Sequence, residues 1–158
     1  MISAWRLSDQ EFSKTQDDMV SAQGAAAYGG RWNSRGRRVL YCSESLALAS
    51  MELLVHIQRN HVLKNLYNSI EIGFGETHVT ALDLDYLPQG WDAMTVNPGA
   101  AQSIGDQWYD DSISLVLRVP SVVVRESYNY LINMEHPDIA TLVFGDLVPY
   151  QLDRRLAK

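Results

Sequence analysis

The sequence has few of the residues that build disulfides and metal sites. Its only cysteine is Cys42, so no internal disulfide can form and no Cys-x-x-Cys pair is available for zinc. The four histidines show no spacing typical of metal ligands. We therefore predict neither a disulfide framework nor a metal site, and we interpret Cys42 as a small core residue.

Long apolar runs and an excess of positive charge are also missing. No stretch approaches the ~20 apolar residues that span a bilayer, and the first residues do not resemble a signal peptide. The chain carries 13 basic and 19 acidic side chains, a net charge of −6 at pH 7. That balance argues against a general nucleic-acid binder. We predict a cytoplasmic protein that contacts neither a membrane nor nucleic acid directly.

The composition is that of a globular protein, with 46% hydrophobic and 20% charged residues in 158. A chain of this length can bury a core without disulfides or metal ions, and no repeat or linker divides it. We therefore predict a single domain over residues 1–158. Basic charge is concentrated early: residues 1–61 carry seven basic and six acidic side chains, whereas residues 62–158 carry six and thirteen.

Helical patterns are few. Residues 46–58 are rich in Leu, Ala and Met and predict the clearest helix, with Ser43 as its N-cap. Residues 99–109 predict a second helix and residues 9–20 a short one. The glycines in residues 24–36 indicate a loop.

Strand patterns outnumber the helical ones. They are predicted at residues 39–42, 68–74, 78–84, 112–119, 121–124, 128–132 and 141–144. A turn at residues 75–77 would join two of them in a hairpin. Because there is no βαβ alternation and no Gly-x-Gly-x-x-Gly motif, we predict an α+β fold with mixed, mostly antiparallel sheets and a few helices.

The densest chemical signal is the segment at residues 28–38, which combines glycines, arginines and aromatic residues. Gly29 and Gly30 let the backbone approach a ligand closely. Arg31 offers a planar fork of donors for phosphate or carboxylate, and Trp32 could stack on a planar ring. The segment suits an anionic, aromatic ligand such as a nucleotide. The alternative is a solvated basic turn that packs on Trp32.

Glu52 lies in the middle of the predicted helix, with apolar residues at i−4, i−3 and i+3. A carboxylate buried on that face needs a partner, which Arg31 or a bound hydroxyl could provide. The alternative is a surface ion pair with His56 at i+4. The sequence leaves these possibilities open.

Several ordered blocks resemble the RES-domain family. They are GGRWN (29–33), VLYCS (39–43), ALASMELLVH (47–56), QSIGDQW (102–108), LVLRVPS (115–121) and ESYNYLINMEHP (126–137). The resemblance covers roughly residues 24–140 and implies an ADP-ribosyltransferase-like fold. The family's members act as toxins of toxin–antitoxin pairs and degrade NAD.

The resemblance implies that NAD is the substrate, with no further cofactor and no metal. The product type stays open between hydrolysis and phosphorolysis of the nicotinamide–ribose bond and transfer of ADP-ribose to a protein. A non-catalytic module that binds a nucleotide or a partner is a further alternative. The implied protein partners are a Xre-like helix-turn-helix antitoxin and a second copy of the chain, in a homodimer.

The family's defining Arg, Glu and Ser correspond here to Arg31, Glu52 and Ser121. By resemblance, Arg31 holds the phosphates or ribose of NAD, and Tyr28 and Tyr41 line the nicotinamide side. Glu52 bonds the nicotinamide ribose and stabilises the oxocarbenium-like charge. Ser121 and Asn129 add hydrogen bonds to the ribose or carboxamide. The implied catalytic residues are Arg31, Tyr41 and Glu52, and the implied NAD-binding residues are Tyr28, Arg31, Tyr41, Ser121 and Asn129.

Overall fold

The computed structural model describes residues 1–64, 66–93 and 99–157. These residues form one eight-stranded sheet. Its strands are β1 (Ile2–Asp9), β2 (Val39–Ser43), β3 (Tyr67–Phe74), β4 (Val79–Ala81), β5 (Val116–Pro120), β6 (Tyr128–Asn133), β7 (Val143–Phe144) and β8 (Val148–Tyr150).

Five α-helices accompany the sheet in the described residues. They are α1 (Gln16–Met19), α2 (Gln23–Tyr28), α3 (Leu46–Leu54), α4 (Arg59–Lys64) and α5 (Gly99–Asp110). Short 3-10 turns occupy Gln10–Phe12, Glu76–His78, Leu84–Tyr86, Ile139–Thr141 and Arg154–Leu156. Among the described residues no helix is long and apolar enough to cross a membrane.

The strand order is β4-β5-β6-β2-β1-β3-β7, and β8 also pairs with β3. Every described pair is antiparallel except β4 with β5. This architecture confirms the predicted α+β class with a mostly antiparallel sheet. Strands β5, β6 and β2 are neighbours in the sheet; of the residues that the sequence singles out, Tyr41 lies on β2, Asn129 on β6, and Ser121 directly after β5.

Side chains of β2 alternate between two hydrophobic clusters, as strand geometry requires. Leu40 and Cys42 join the cluster on one face, and Val39 joins the cluster on the other face with Trp108 of α5. Cys42 is only 3% exposed, which confirms its prediction as a core residue. Burial of this thiol raises its pKa to about 12, partly opposed by the positive charge of Arg6.

The helix predicted at residues 46–58 is present but shorter, and its N-cap differs. The Ser45 hydroxyl, not that of Ser43, accepts the Leu48 N–H, at 3.0 Å. Ser43 is instead the last residue of β2. The helix ends at Leu54. The predicted helix at residues 99–109 is confirmed by α5.

The predicted hairpin across residues 75–77 is wrong. β3 pairs with β1, β7 and β8, whereas β4 lies at the far edge of the sheet, parallel to β5. Local alternation identifies a strand but not its partner, because pairing depends on the rest of the fold. The strand predicted at 121–124 is also wrong, since these residues bend into a turn over residues 124–127, closed by the hydrogen bond from the Ser127 N–H to the Val124 carbonyl.

The remaining strand predictions agree in position and differ in extent. β5 begins at Val116, so Ile113 lies outside the strand and is 55% exposed. Pro120 ends β5 instead of interrupting it. The region predicted as a glycine loop contains α2, which leaves residues 29–38 as the connection to β2.

Candidate active site

Neighbouring strands bring polar side chains to one face of the sheet. Ser43 at the end of β2 pairs in register with Asn129 of β6, and Asn129 pairs with Val119 of β5. Ser121 follows Val119 by two residues, beyond the end of β5. Because side chains two residues apart along a strand share a face, Ser121 reaches the same side as Asn129.

Glu52 reaches this group from α3. Ser121 Oγ donates a hydrogen bond to Glu52 Oε1 at 2.7 Å, and Asn129 Nδ2 donates to the same oxygen at 2.7 Å. Neither Arg31 nor His56 forms an ion pair with Glu52 in the described part of the chain. The partners of this carboxylate are therefore two neutral donors that lie far from it in sequence.

The hydrogen bonds at Glu52 are unevenly distributed over its two oxygens. Both protein donors converge on Oε1, and Oε2 receives no hydrogen bond from the residues that the structure describes. Glu52 is also partly exposed. One carboxylate oxygen is thus fixed by the protein, while the other can interact with a bound molecule.

Ser121 is buried, and its oxygen also accepts the N–H groups of Val123 and Val124, at 3.1 and 3.0 Å. The hydroxyl therefore caps the turn after β5 while its proton points to Glu52. Arg125, which follows, forms an ion pair with Asp92 at 3.1 Å. Ser121 links this turn to the carboxylate.

The loop that carries Arg31 is fixed by Tyr41 and Asn33. The Tyr41 hydroxyl donates to Asn33 Oδ1 at 2.6 Å and accepts the Trp32 N–H at 3.1 Å. Burial raises the pKa of Tyr41 well above its ordinary value, so this phenol stays protonated. A Cβ at Gly30 would lie 2.6 Å from the Tyr41 hydroxyl oxygen, which is why only glycine fits there.

α5 holds the same loop from the other side. Gln102 Nε2 donates to the carbonyls of Gly30 and Asn33, at 2.9 and 3.1 Å. The Asp106 carboxylate accepts the Ser34 N–H at 2.8 Å and the Ser34 hydroxyl at 2.5 Å. The main chain on both sides of Arg31 is therefore anchored.

The Arg31 guanidinium donates to the main-chain carbonyls of Trp91 and Ala93. Its Nη1 lies 2.8 Å from the Trp91 carbonyl oxygen, and both terminal nitrogens lie 3.4 Å from that of Ala93. The rings of Trp32 and Trp91 contact each other, with their centroids 5.7 Å apart. No carboxylate pairs with Arg31 in the described ranges, so its positive charge is available to an anion.

The other arginines of the loop have different roles. Arg37 forms an ion pair with Asp110 at 2.6 Å and lies 3.5 Å from Asp106. These contacts raise the pKa of Arg37 and lower that of Asp110. Arg38 Nε donates to the Ser21 carbonyl at 3.0 Å, and Arg35 is exposed. The structure therefore does not gather the four arginines into one anion site.

A cavity of about 180 Å³ adjoins the group around Glu52. Ser121 forms part of its wall, and Trp91 connects it to Arg31. The rest of the wall is formed by Leu84, Leu87, Asp92, Pro120, Val122 and Arg125. Its mainly apolar wall with a polar edge suits a planar organic group.

Of the predicted residues, the structure joins Glu52, Ser121 and Asn129 directly and places Arg31 in a loop that Tyr41 of β2 anchors. Tyr28 is 82% exposed at the end of α2 and is not part of the Glu52 group. No group of three or more metal-ligating side chains occurs in the part of the chain described.

Sequence reasoning missed several residues that support this site. They are Ser43, Asn33, Gln102 and Trp91. Asn33 and Gln102 lie inside blocks that resemble the family, and this was the available signal. Ser43 was assigned to capping because a serine before a helix usually has that role.

The fold and site define a class of protein with known relatives. The fold is shared with a chain from the crystal structure of the M. tuberculosis MbcT-MbcA toxin-antitoxin complex, at a TM-score of 0.71 and 16% identity. That match covers 99% of this chain and 86% of the other. The RES domain family model matches residues 3–153, so the chain belongs to the RES domain family.

Curated relatives agree with this assignment. A Photorhabdus laumondii protein named Toxin Res is 36% identical over 92% of this chain and 93% of its own length. A Sphingobium protein named Prs ADP-ribosylating toxin is 37% identical over 86% of this chain and 84% of its own. A Toxin Res of Yersinia enterocolitica is 34% identical over 75% of this chain and 76% of its own.

Proposed function

We propose that this chain is an enzyme, the toxin of a toxin–antitoxin pair, and that it depletes cellular NAD by cleaving the nicotinamide–ribose bond. The observation that carries the proposal is Glu52, a partly exposed carboxylate whose Oε1 is fixed by Ser121 and Asn129 while Oε2 has no donor from the described residues. Family membership supports the toxin role.

The chemistry follows from the charge that develops in the sugar. When the bond between ribose and nicotinamide breaks, its electron pair leaves with the nicotinamide nitrogen and positive charge grows on the ribose carbon. A fixed carboxylate next to that carbon stabilises the charge without reorganising. The oxygen of water, which gives up a proton to the solvent, or an anionic oxygen of phosphate then bonds to the carbon. Glu52 supplies this carboxylate.

Arg31 would bind the pyrophosphate of NAD. A guanidinium can donate hydrogen bonds to phosphate oxygens, and no carboxylate in the described residues neutralises Arg31. The adjoining cavity, with Trp91 in its wall, has room for an aromatic group of the dinucleotide. Tyr41 would contribute by holding the loop, because its hydroxyl is already bonded to Asn33 and Trp32.

The test is release of free nicotinamide from NAD by the purified protein, measured with and without phosphate. We expect release by the wild type and a loss of about a hundredfold or more in Glu52→Gln. Glu71→Gln, which changes an exposed glutamate of β3, is the matched control and should stay active. An inactive wild type, or a fully active Glu52→Gln, would overturn the proposal. Phosphate dependence distinguishes phosphorolysis from hydrolysis.

Transfer of ADP-ribose to a protein is the second candidate. It is favoured by the Sphingobium relative, whose name describes an ADP-ribosylating toxin. The same site would serve, with a nucleophile of the target protein in place of water. Incubation of cell lysate with labelled NAD separates the two: a labelled protein band supports transfer, and free ADP-ribose supports cleavage.

An antitoxin partner is supported by the toxin–antitoxin complex that shares the fold. We propose that this partner is a Xre-like helix-turn-helix protein, that the toxin is a homodimer in the complex, and that it acts in the cytoplasm. Expression of the chain alone should arrest growth, and co-expression of the adjacent reading frame should restore it. If Glu52→Gln arrests growth as strongly as the wild type, the chain is a non-catalytic binding module.

A further inference from the structure

Ser43 lies next to the group that holds Glu52. Its Oγ is 2.8 Å from Asn129 Oδ1, and the two residues are register partners across β2 and β6. Asn129 Nδ2 in turn lies 2.7 Å from Glu52 Oε1. Ser43 is only 5% exposed, so water does not readily replace its hydroxyl.

The direction of these hydrogen bonds follows from the chemistry of the groups. An ionised carboxylate only accepts, so the Asn129 atom that faces Glu52 must be the NH₂ group. The amide carbonyl then faces Ser43, whose hydroxyl must donate to it. Glu52 thus sets the orientation of the amide, and the hydrogen bond from Ser43 holds the amide oxygen in that orientation. In the opposite orientation, the amide oxygen would face the Glu52 carboxylate and repel it.

We propose that Ser43 is a positioning residue: it fixes the amide of Asn129, which holds Glu52 Oε1 and leaves Oε2 as the oxygen that faces the reacting sugar. This role rests on the proposed cleavage of NAD. Ser121 holds Oε1 from a second direction, so the carboxylate is fixed by donors from two different segments. A carboxylate fixed in this way needs little reorganisation as positive charge develops.

The first test is the kinetics of Ser43→Ala. Without the hydroxyl, the Asn129 amide can rotate, and the carboxylate is held firmly by Ser121 alone. We expect kcat to fall roughly tenfold with KM changed less than about twofold, the effect of losing one hydrogen bond in the transition state. Ser43→Thr keeps the hydroxyl and should retain activity. An unchanged kcat in Ser43→Ala would overturn the proposal.

The matched control is Ser69→Ala. Ser69 is also a buried strand serine, 3% exposed, but its hydroxyl donates to the Val148 carbonyl far from Glu52. It should lose stability comparable to that of Ser43→Ala and keep its kcat. An equal loss of kcat in both variants would mean that Ser43 has only a structural role.

A double-mutant cycle with Asn129→Ala tests whether Ser43 acts through Asn129. If it does, Ser43→Ala has no further effect on kcat in the Asn129→Ala background. If the fold-losses in kcat of the two single variants multiply in the double variant, the two residues act independently and the proposal is overturned.

A readout that does not depend on activity keeps the positioning role testable if NAD cleavage fails. The side-chain amide signal of Asn129 in a nitrogen-15 NMR spectrum can be assigned by its loss in Asn129→Asp. It should shift in Ser43→Ala and in Glu52→Gln but not in Ser69→Ala. If the wild type does not cleave NAD but the Asn129 signal shifts as expected, the proposed reaction is refuted and the positioning role of Ser43 is not. An Asn129 signal unmoved in Ser43→Ala refutes the positioning role.

Discussion

Gly105, in the middle of α5, packs directly against the main chain of Trp32, and a Cβ at Gly105 would overlap the Trp32 carbonyl oxygen. This contact brings α5 close enough for Gln102 to bond the carbonyls of Gly30 and Asn33. The position of the loop that carries Arg31 therefore depends on Gly105 of α5, where any side chain would prevent this close contact.

Gly105→Ala is expected to destabilise the protein by about 1–3 kcal/mol, because the methyl group forces α5 away from a main chain that cannot yield. This exceeds the gain of roughly 0.5–1 kcal/mol from replacing a helical glycine by alanine. Urea unfolding measures the change. Gly24→Ala in α2 is the control: outside its chain neighbours and the backbone of its own helix, nothing lies within 4 Å of the added Cβ, so the variant should be as stable as the wild type or more so.

Tyr41→Phe should lower both stability and activity. The substitution removes the partner of two buried groups, Asn33 Oδ1 and the Trp32 N–H, which we expect to cost about 1–3 kcal/mol in the free energy of unfolding. The released loop should also raise the KM for NAD. Urea unfolding and nicotinamide release are the measurements. Unchanged stability with lost activity would instead indicate that the hydroxyl contacts the substrate.

Arg31→Ala should weaken NAD binding more than any other arginine substitution in the loop. Arg31 has no carboxylate partner in the described residues, and a lost charge-assisted hydrogen bond to phosphate costs about 1.5–3 kcal/mol, or roughly ten- to a hundredfold in affinity. Arg35→Ala, which changes an exposed arginine, is the control and should bind as the wild type does. Calorimetric titration of the Glu52→Gln background with NAD measures binding without turnover. Equal losses in both variants would contradict the assignment of Arg31.

Cys42→Ala should change the dependence of stability on alkaline pH. Burial raises the pKa of this thiol from 9.0 to about 12, so the unfolded chain loses its proton first as the pH rises. The wild type should therefore lose about 1.4 kcal/mol of stability per pH unit from this group between pH 9 and 12.

Urea unfolding of the wild type and of Cys42→Ala between pH 8 and 10 measures this difference. The variant lacks the thiol, so its stability should fall less steeply above pH 9, although it is less stable at pH 7 because the core loses volume. Tyr41, whose pKa is also raised by burial, titrates in both proteins at higher pH and does not affect the comparison. Parallel pH profiles would show that the thiol titrates normally in the folded protein.

The amino-acid sequence alone determined the local elements and the general class. α5, β3 and β6 lie close to their predicted ranges because their apolar periodicity is strong and local. Cys42 was recognisable as a core residue from its apolar strand. The RES resemblance followed from ordered motifs, and it selected Glu52, Ser121 and Asn129 as a set.

Only the tertiary structure decided which of these residues meet. The hydrogen bonds from Ser121 and Asn129 to Glu52 join positions 69 and 77 residues apart, and β4 pairs with β5 instead of β3, from which only a short turn separates it. Such pairings are selected by the packing of the whole chain, since a strand pattern specifies which face is buried but not which strand lies beside it. The fixed oxygen of Glu52 and the role of Ser43 arise from that packing.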